Sequence, residues 1–243
     1  MAVLGTILTI VAILLIIYLL YWMFSSKATS LSSMQPGTKS SVIGSDQLPA
    51  AGTNNYTYSM WFYIKDWNYR YGEAKVLLGR SSSGGTPSMA VTLGAIQNNV
   101  TIALRVYPSS QSHSHPHSGS AIGGSTMHDC TVENVPVQRW VNLLLSVNGR
   151  SLDVYIDGKL VRTCVLPGIA KIDTAAAVHV TPGGGFSGFT SNVKYWANST
   201  NPQEAYNIYR EGFGGSILGN LFSKYKVKVA FLEDNIEQGS FEV

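Results

Sequence analysis

Charged side chains are scarce in this sequence, and no region concentrates them. Only 13% of the 243 residues are Asp, Glu, Lys or Arg, and the 17 basic and 14 acidic residues leave a formal net charge of +3. A protein that binds nucleic acid normally carries a basic stripe or cluster that neutralises phosphates. The scattered charge therefore argues against nucleic acid as a partner.

Motifs for catalysis and cofactor binding are also missing. The sequence has no Gly-x-Ser-x-Gly elbow, no phosphate-binding loop and no His-Glu-x-x-His motif. Retaining glycosidases need two carboxyl groups about 5 to 5.5 Å apart, which on one strand requires acidic residues two or four positions apart. Asp153 and Asp157 have that spacing, but Asp157 belongs to an Asp-Gly turn, so both are assigned to a solvated face. We expect no enzyme and no cofactor.

Residues 2–24 contain no charged residue at all. As a helix, this run would be about 34 Å long and would span the ~30 Å hydrocarbon layer. It is too long for a signal peptide and lacks a basic start and a small-residue cleavage site. Residues 1–24 are therefore predicted to be a retained single-pass anchor in the lipid bilayer. The residues expected at the headgroup boundary are Tyr18, Tyr21, Trp22 and Lys27.

The side of the membrane occupied by the rest of the chain is left open. Lys27 and Lys39 lie beyond the apolar run and weakly favour the cytosol. The Asn-x-Thr tripeptides that begin at Asn55, Asn99 and Asn198 would instead be usable in a lumen.

Composition changes after the anchor and divides the chain further. Residues 25–50 contain eight serines and two prolines without apolar periodicity, which predicts a flexible tether, with an extended arm lying on another protein as the alternative. Residues 51–212 are predicted to be the globular domain, and residues 213–243 a C-terminal extension with a strand.

Apolar and polar residues alternate through most of the globular part, as they do in half-buried strands. One such strand covers residues 56–64, and the clearest section is residues 139–166. Three more follow over residues 140–165, separated by Asn148-Gly149 and Asp157-Gly158, which suit tight hairpin turns. Capping residues predict one helix between residues 201 and 212. The predicted fold is all-β, a two-sheet antiparallel jelly-roll sandwich with one short late helix, preceded by the transmembrane helix.

Two segments of the globular part resemble a known superfamily. The hairpin sequence from Trp140 to Lys159, and the stretch from Gly185 through the Pro-Gln-Glu-Ala-Tyr helix, are similar to laminin-G-like, concanavalin A-like jelly rolls. The resemblance covers residues 56–212 and implies the fold, without implying a function. The anchor, the tether and the segment from Leu221 to Asn235 look like membrane-anchored proteins of large double-stranded DNA viruses of algae and protists. That narrower resemblance implies a minor capsid component in the virion inner membrane beneath the shell.

Cys130 and Cys164 are the only cysteines, and both fall where the predicted sandwich has an edge. A disulfide between them would close a loop of about 35 residues and stabilise the domain by roughly 3 to 4 kcal/mol. Two buried thiols are the alternative. A disulfide normally implies an oxidising compartment, in conflict with cytosolic placement. The viral resemblance implies a virus-encoded thiol oxidase, which would remove the conflict.

Alternating histidines at positions 113, 115 and 117 raise the question of a metal site. Their segment is rich in serine and glycine, which is typical of a mobile loop, so no metal is predicted.

The segment after the first strand is the candidate interaction surface. Trp67, Tyr69 and Tyr71 alternate with Asn68 and Arg70. Aromatic rings beside an arginine suit a protein contact or a sugar-stacking platform. An ordinary strand whose rings complete the core is the alternative.

We therefore expect a non-enzymatic structural protein, a membrane-anchored minor capsid component that links an inner membrane to the outer shell of a large DNA virus. Its expected partners are the lipid bilayer and other capsid proteins. A membrane-displayed lectin that binds glycans is the alternative.

Overall fold

The computed structural model describes residues 11–16, 18, 28–49, 53–82, 85–107, 125–214, 228–233 and 236–242. Residues 11–16 and 18 are helical. The remainder of the predicted anchor lies outside the described residues, as do Tyr21, Trp22 and Lys27, whereas Tyr18 is described and 64% exposed. Within the described part of the chain, no helix is long and apolar enough to cross a bilayer.

Besides the helical residues 11–16 and 18, the described secondary structure consists of fifteen strands, one helix of nine residues and a short 3-10 helix at Ser45–Gln47. The strands are β1 (Thr29–Ser32), β2 (Gln35–Pro36), β3 (Ser41–Ile43), β4 (Tyr56–Asp66), β5 (Lys75–Ser81), β6 (Met89–Leu93), β7 (Val100–Val106), β8 (Thr126–Val132), β9 (Trp140–Asn148), β10 (Ser151–Ile156), β11 (Lys159–Val165), β12 (Ala177–Val180), β13 (Ser187–Trp196), β14 (Lys228–Glu233) and β15 (Ile236–Glu242). The helix α1 covers Pro202–Arg210.

Two antiparallel sheets pack face to face. Sheet A has the order β1-β13-β4-β9-β10-β11, with β2 also paired to β13, and sheet B has the order β3-β12-β5-β6-β7-β8. The strands β14 and β15 form a separate hairpin in the C-terminal extension. The predicted all-β sandwich with one late helix is confirmed.

The core lies between the sheets and comes from the alternating positions that the sequence marks. On β4, the side chains of Tyr58, Phe62 and Ile64 point inward and are at most 2% exposed. The neighbouring strands β9 and β10 of the same sheet add the branched residues Val141 and Val154, which are fully buried. Each such side chain contributes about 1.5 to 3 kcal/mol through its removal from water.

Residues 29–43, predicted to be part of a flexible tether, instead belong to the sandwich. β1 and β2 pair with β13 at the edge of sheet A, and β3 pairs with β12 at the edge of sheet B. Leu31 and Leu48 pack against the core on the way. These strands show no alternation of apolar and polar residues in the sequence, because an edge strand buries few side chains and is stabilised by main-chain hydrogen bonds.

The helix α1 matches its predicted capping signals. The side chain of Asn201 accepts a hydrogen bond from the Glu204 N–H at 2.9 Å, and the Glu204 carboxylate accepts one from the Asn201 N–H, which is a complete capping box. Ala205 and Ile208 bury the inner face of α1 on Leu144 and Tyr155. The helix therefore covers the outer face of sheet A.

The sandwich has two distinct ends, set by the strand registers. At the near end, β1 and β4 begin and β13 finishes, since Thr29 and Tyr58 both lie opposite Tyr195. The far end holds the connections 66–74, 94–99, 133–139 and 181–186. The eleven residues of β4 separate the two ends by about 36 Å.

Candidate interaction surfaces

Three side chains of the predicted interaction surface tie the far-end loops together. Trp67 donates from its indole N–H to the Ile96 carbonyl at 3.0 Å. The Tyr69 hydroxyl donates to the Gly184 carbonyl at 3.2 Å, and the Arg70 guanidinium donates to the Gly183 carbonyl at 2.5 Å. Loops that are 29 to 115 residues apart in sequence are thereby fastened to one another.

Tyr71 is the member of that set whose side chain extends into solvent. It is 57% exposed, and Ile96 on the adjoining loop is 62% exposed. Arg70 is held by Glu73 at 2.7 Å and adopts φ of 52°, a left-handed conformation that bends the loop sharply. The far end is therefore a stiffened tip that presents Tyr71 and Ile96.

A buried lysine lies under this tip. Lys75 is 2% exposed, and its Nζ is 5.1 Å from the centre of the Trp67 ring, with no hydrogen-bond partner among the described residues. Burial, followed by the positive charge of Arg70, lowers the pKa of Lys75. The Trp67 face and the negative charge of Glu73 both stabilise this cation, which makes Trp67 a structural residue of the tip.

A second aromatic cluster, which sequence analysis missed, covers sheet A at the far end. Trp61 stacks on Tyr209 with ring centres 5.5 Å apart, and Trp140 stacks on Phe213 at 4.7 Å and an interplanar angle of 4°. Tyr63 approaches Trp140 at 5.8 Å. The alternation on β4 did place Trp61 and Tyr63 on the outer face, but only the return of α1 brings their partners there. The cluster fixes the point at which the C-terminal extension leaves the sandwich.

The outer face of sheet B differs from that of sheet A in its lack of aromatic residues along three described strands. Its positions on β6, β7 and β8 are Ala90, Thr92, Thr101, Ala103, Arg105, Met127, Asp129 and Thr131, as the strand registers place them. The hydroxyls of Thr101 and Thr131 are 3.0 Å apart. None of these positions is aromatic, so β6, β7 and β8 offer no ring on this face on which a sugar could stack.

The two aspartates considered as catalytic carboxylates have structural partners. Asp153 accepts a hydrogen bond from the Thr163 hydroxyl at 2.6 Å. Asp157, in a turn with φ of 50°, accepts from the Asn142 N–H at 2.9 Å and forms an ion pair with Arg139. Both carboxylates therefore serve to hold neighbouring strands and turns.

Metal ligands do not assemble in the part of the chain that the structure describes. No group of three His, Cys, Asp or Glu side chains lies close enough there to hold an ion. The alternating histidines 113, 115 and 117 lie outside the described residues.

A disulfide joins Cys130 on β8 to Cys164 on β11, and so links the edge of sheet B to the edge of sheet A. Both cysteines are buried, at 1% and 9% exposure. Beside the disulfide, the two edges enclose a cleft of about 450 Å³. Its apolar lining consists of Val132, Val135, Pro136, Ile156 and Val161.

Tyrosines surround a buried arginine in the core toward the near end of the sandwich. Arg80 is 5% exposed and donates to the Tyr58 hydroxyl at 3.3 Å, with its guanidinium carbon 5.7 Å from the centre of the Tyr195 ring. Burial raises the pKa of Tyr56 and of Tyr58 well above the usual tyrosine range. The neutral hydroxyls thus solvate a cation that has no carboxylate in contact among the described residues.

Comparison with known proteins places the sandwich among lectin-like folds. The family model Laminin_G_3, described as the concanavalin A-like lectin/glucanases superfamily, matches residues 36–205. The ligand-binding domain of botulinum neurotoxin serotype D, solved in complex with N-acetylneuraminic acid, is similar with TM-score 0.53 and 10% identity over 75% of this chain. A further structure of the serotype D binding domain is similar with TM-score 0.50 and 10% identity, also over 75%.

This chain spans 43% and 42% of the length of those two toxin chains, and at such identity the likeness concerns the fold alone. No curated protein matches this chain.

Proposed function

This chain belongs to the concanavalin A-like lectin/glucanases superfamily, and within it we propose a non-enzymatic interaction protein that bridges a membrane and a protein layer. The observation that carries the proposal is the position of the two exits from the sandwich. The chain enters at Thr29, which is level with Tyr58 on β4. The Phe213 ring stacks on Trp140, level with Tyr63, which is five residues or about 17 Å further toward the far end. A protein that connects two layers needs its two attachments on opposite sides.

The membrane side of the bridge is the apolar segment at residues 2–24. Five residue steps separate Phe24 from Thr29, a reach of about 17 Å when fully extended. Because residues 29–43 belong to the sandwich, the near end would lie close to the headgroups. The length of the sandwich, rather than a long tether, would then set most of the gap between the two layers.

The opposite side of the bridge is the stiffened tip with Tyr71 and Ile96. Exposed aromatic and aliphatic groups on a preorganised surface lose little conformational entropy when they bind, which favours a protein contact. The sequence resemblance to membrane-anchored proteins of large DNA viruses supports a narrower form of the proposal. In that form, the chain is a minor capsid component, anchored in the virion inner membrane, whose far end contacts other capsid proteins beneath the shell.

Site-specific photo-crosslinking of the full chain tests the bridge. A photoreactive amino acid is placed at Tyr71 on the far end or at Arg150 on the near end, and both variants are assembled into particles or native membranes. We expect crosslinks to proteins from position 71 and crosslinks to lipid from position 150. Carbonate extraction of the same samples is expected to leave the chain in the membrane pellet.

The reverse pattern, with lipid crosslinks from position 71 and protein crosslinks from position 150, would show that the orientation is wrong. Release of the chain by carbonate would remove the membrane side of the bridge.

A glycan-binding role is the second candidate, favoured by the exposed ring of Tyr71, which directly follows Arg70 in the chain. Aromatic and arginine groups at a loop end suit a sugar with a carboxylate, of the kind bound by the serotype D toxin domain. The test is a glycan array that includes sialylated glycans, probed with the full chain. Tyr71→Ala should abolish a lectin signal, whereas Tyr206→Ala on α1, where Tyr206 is 45% exposed, should leave it intact.

Absence of any signal on the array would exclude this role for the glycans tested. Trp67→Ala is not a useful binding variant, because Trp67 holds the tip together.

A further inference from the structure

The two lateral sides of the sandwich differ in how they are closed. On one side, the N-terminal segment pairs first with β13 in sheet A and then with β12 in sheet B, and so covers the edges of both sheets. On the other side, β11 ends sheet A and β8 ends sheet B, and no described strand pairs beyond them. The strands that end the sheets on this second side have seven residues each, whereas β1, β2 and β3 have four, two and three. Among the described strands, the side that carries β8 and β11 therefore offers the longer edges to a partner strand.

β11 is unusually exposed for a strand of this length. Only one of its seven residues, Cys164, is buried. Three apolar side chains face solvent, since Leu160 is 49%, Val161 48% and Val165 73% exposed. A flat edge with apolar side chains is the surface to which extended segments add in β-augmentation.

The cleft between β8 and β11 supplies a pocket beside that edge. A register shift between β10 and β11 leaves Val161 without a partner on β10, and Val161 lines the cleft together with Ile156 and Val135. The cleft is thus able to receive an apolar side chain from a segment that lies along β11. The Cys130–Cys164 disulfide holds the walls of the cleft together.

The charges on β11 indicate which kind of partner strand could pair with it. β11 carries two exposed cations, Lys159 and Arg162, and no acidic residue. In an antiparallel pair of two β11 strands centred on Arg162, the two arginines would face each other, which destabilises the pair. Glu133 on the β8 side is the acidic residue at the rim of the cleft. An acidic strand beside β11 would meet Lys159 and Arg162 directly.

We propose that β11 and the adjoining cleft form a docking site for an extended strand of a partner protein in which acidic and apolar residues alternate. The strand adds to sheet A beside β11, places carboxylates opposite Lys159 and Arg162, and seats one apolar side chain in the cleft. This site deepens the proposed bridging function, on which it rests, by naming a second contact with the protein layer.

Peptide binding to the full chain in nanodiscs tests the site. The probes are two fluorescent nine-residue peptides in which valine alternates either with glutamate or with lysine. We expect the acidic peptide to bind about tenfold more tightly at low salt, since two cross-strand pairs change from repulsive to attractive. Added salt should reduce this ratio. Hydrogen exchange at residues 159–165 should slow when the acidic peptide is bound.

Charge reversal provides the second arm. The Lys159→Glu/Arg162→Glu variant should prefer the basic peptide, and Lys159→Glu alone should lower the ratio about tenfold, to near one. Lys65→Glu, which reverses an exposed lysine on β4, should leave the ratio unchanged. Arg162 also donates to the Thr131 carbonyl at 2.7 Å, so the single Lys159 variant and the wild-type peptides keep the test decisive if the double variant does not fold.

Equal binding of the two peptides, no binding of either, or unchanged exchange at β11 would overturn the proposal. These outcomes are separate from failure of the bridge, because the assay uses neither shell proteins nor the orientation of the chain. Loss of the crosslinks from position 71 would instead remove the bridge and leave the strand site standing.

Discussion

The disulfide that joins the two sheet edges allows a quantitative test. Cys130 and Cys164 are 34 residues apart in sequence, and the strands that carry them belong to different sheets. On the loop-entropy model, a closed loop of about 35 residues lowers the entropy of the unfolded chain by about 13 cal/mol/K, which is about 3.8 kcal/mol at 25 °C. Removing the bridge should lower the free energy of unfolding by about that amount.

The assay compares three states of the full chain by chemical denaturation at neutral pH. These are the oxidised wild type, the wild type in reductant, and the Cys130→Ala/Cys164→Ala variant. Reduction isolates the effect of the bridge, and the variant adds a smaller cost because two buried sulfur atoms are lost. At about 2 to 4 °C per kcal/mol for a domain of this size, the thermal midpoint of the reduced protein should fall by about 8 to 15 °C.

Local exchange adds a check that global stability cannot supply. Slow hydrogen exchange at β8 and β11 should be lost selectively on reduction, because these edges are held together mainly by the bridge and by the Arg162–Thr131 hydrogen bond. A loss below about 1 kcal/mol, or equal changes in exchange throughout both sheets, would refute the argument that the bridge closes this side of the sandwich. Non-reducing mass spectrometry must first show the linked peptides.

Three further predictions concern other parts of the domain. Trp67→Ala should lower the free energy of unfolding, measured by denaturant titration, by about 2 to 3 kcal/mol, because the ring over Lys75 is lost. The control Tyr71→Ala, at an exposed position, should change it by less than about 0.5 kcal/mol. Asn201→Ala should cost about 1 kcal/mol in the same assay, because the Glu204 N–H loses its acceptor. The free energy of unfolding should stay constant up to about pH 10 and fall above it, because burial raises the pKa of Tyr56 and Tyr58 above the value in the unfolded chain. Absorbance at 295 nm should show that these two hydroxyls ionise only as the domain unfolds.

Local sequence patterns correctly predicted those strands, turns and helix ends that are determined by neighbouring residues in the chain. The alternation over residues 56–64 marks the buried face of β4, and the residues 201–204 mark the start of α1. The Asn148-Gly149 and Asp157-Gly158 turns lie at the ends of β10 as expected, with positive φ at Gly149, Asp157 and Gly158. In each case, a short stretch of chain decides its own conformation.

The N-terminal segment and the candidate surface show where local signals fail. Residues 29–43 look like a linker because serine is common both in linkers and in edge strands. Only the pairing of this segment with β13 and β12 shows that it forms edge strands. Trp67, Tyr69 and Arg70 were candidates for an interaction surface, with a core strand as the alternative, and each donates a hydrogen bond to a neighbouring loop. Their partners are loop carbonyls 29 to 115 residues away, at positions that carry no signal in the sequence.

The sequence by itself determined that the chain is a β-sandwich with a long apolar segment before it, because hydrophobic alternation and uninterrupted apolar runs are properties of neighbouring residues. Tertiary structure alone decided that the serine-rich segment completes the sandwich, that Phe213 returns onto Trp140 over sheet A, and that β11 is a long exposed edge. The reason is that strand order and strand register are set by contacts between residues far apart in the chain, and hydrophobic patterning specifies which face of a strand is buried without specifying its neighbour.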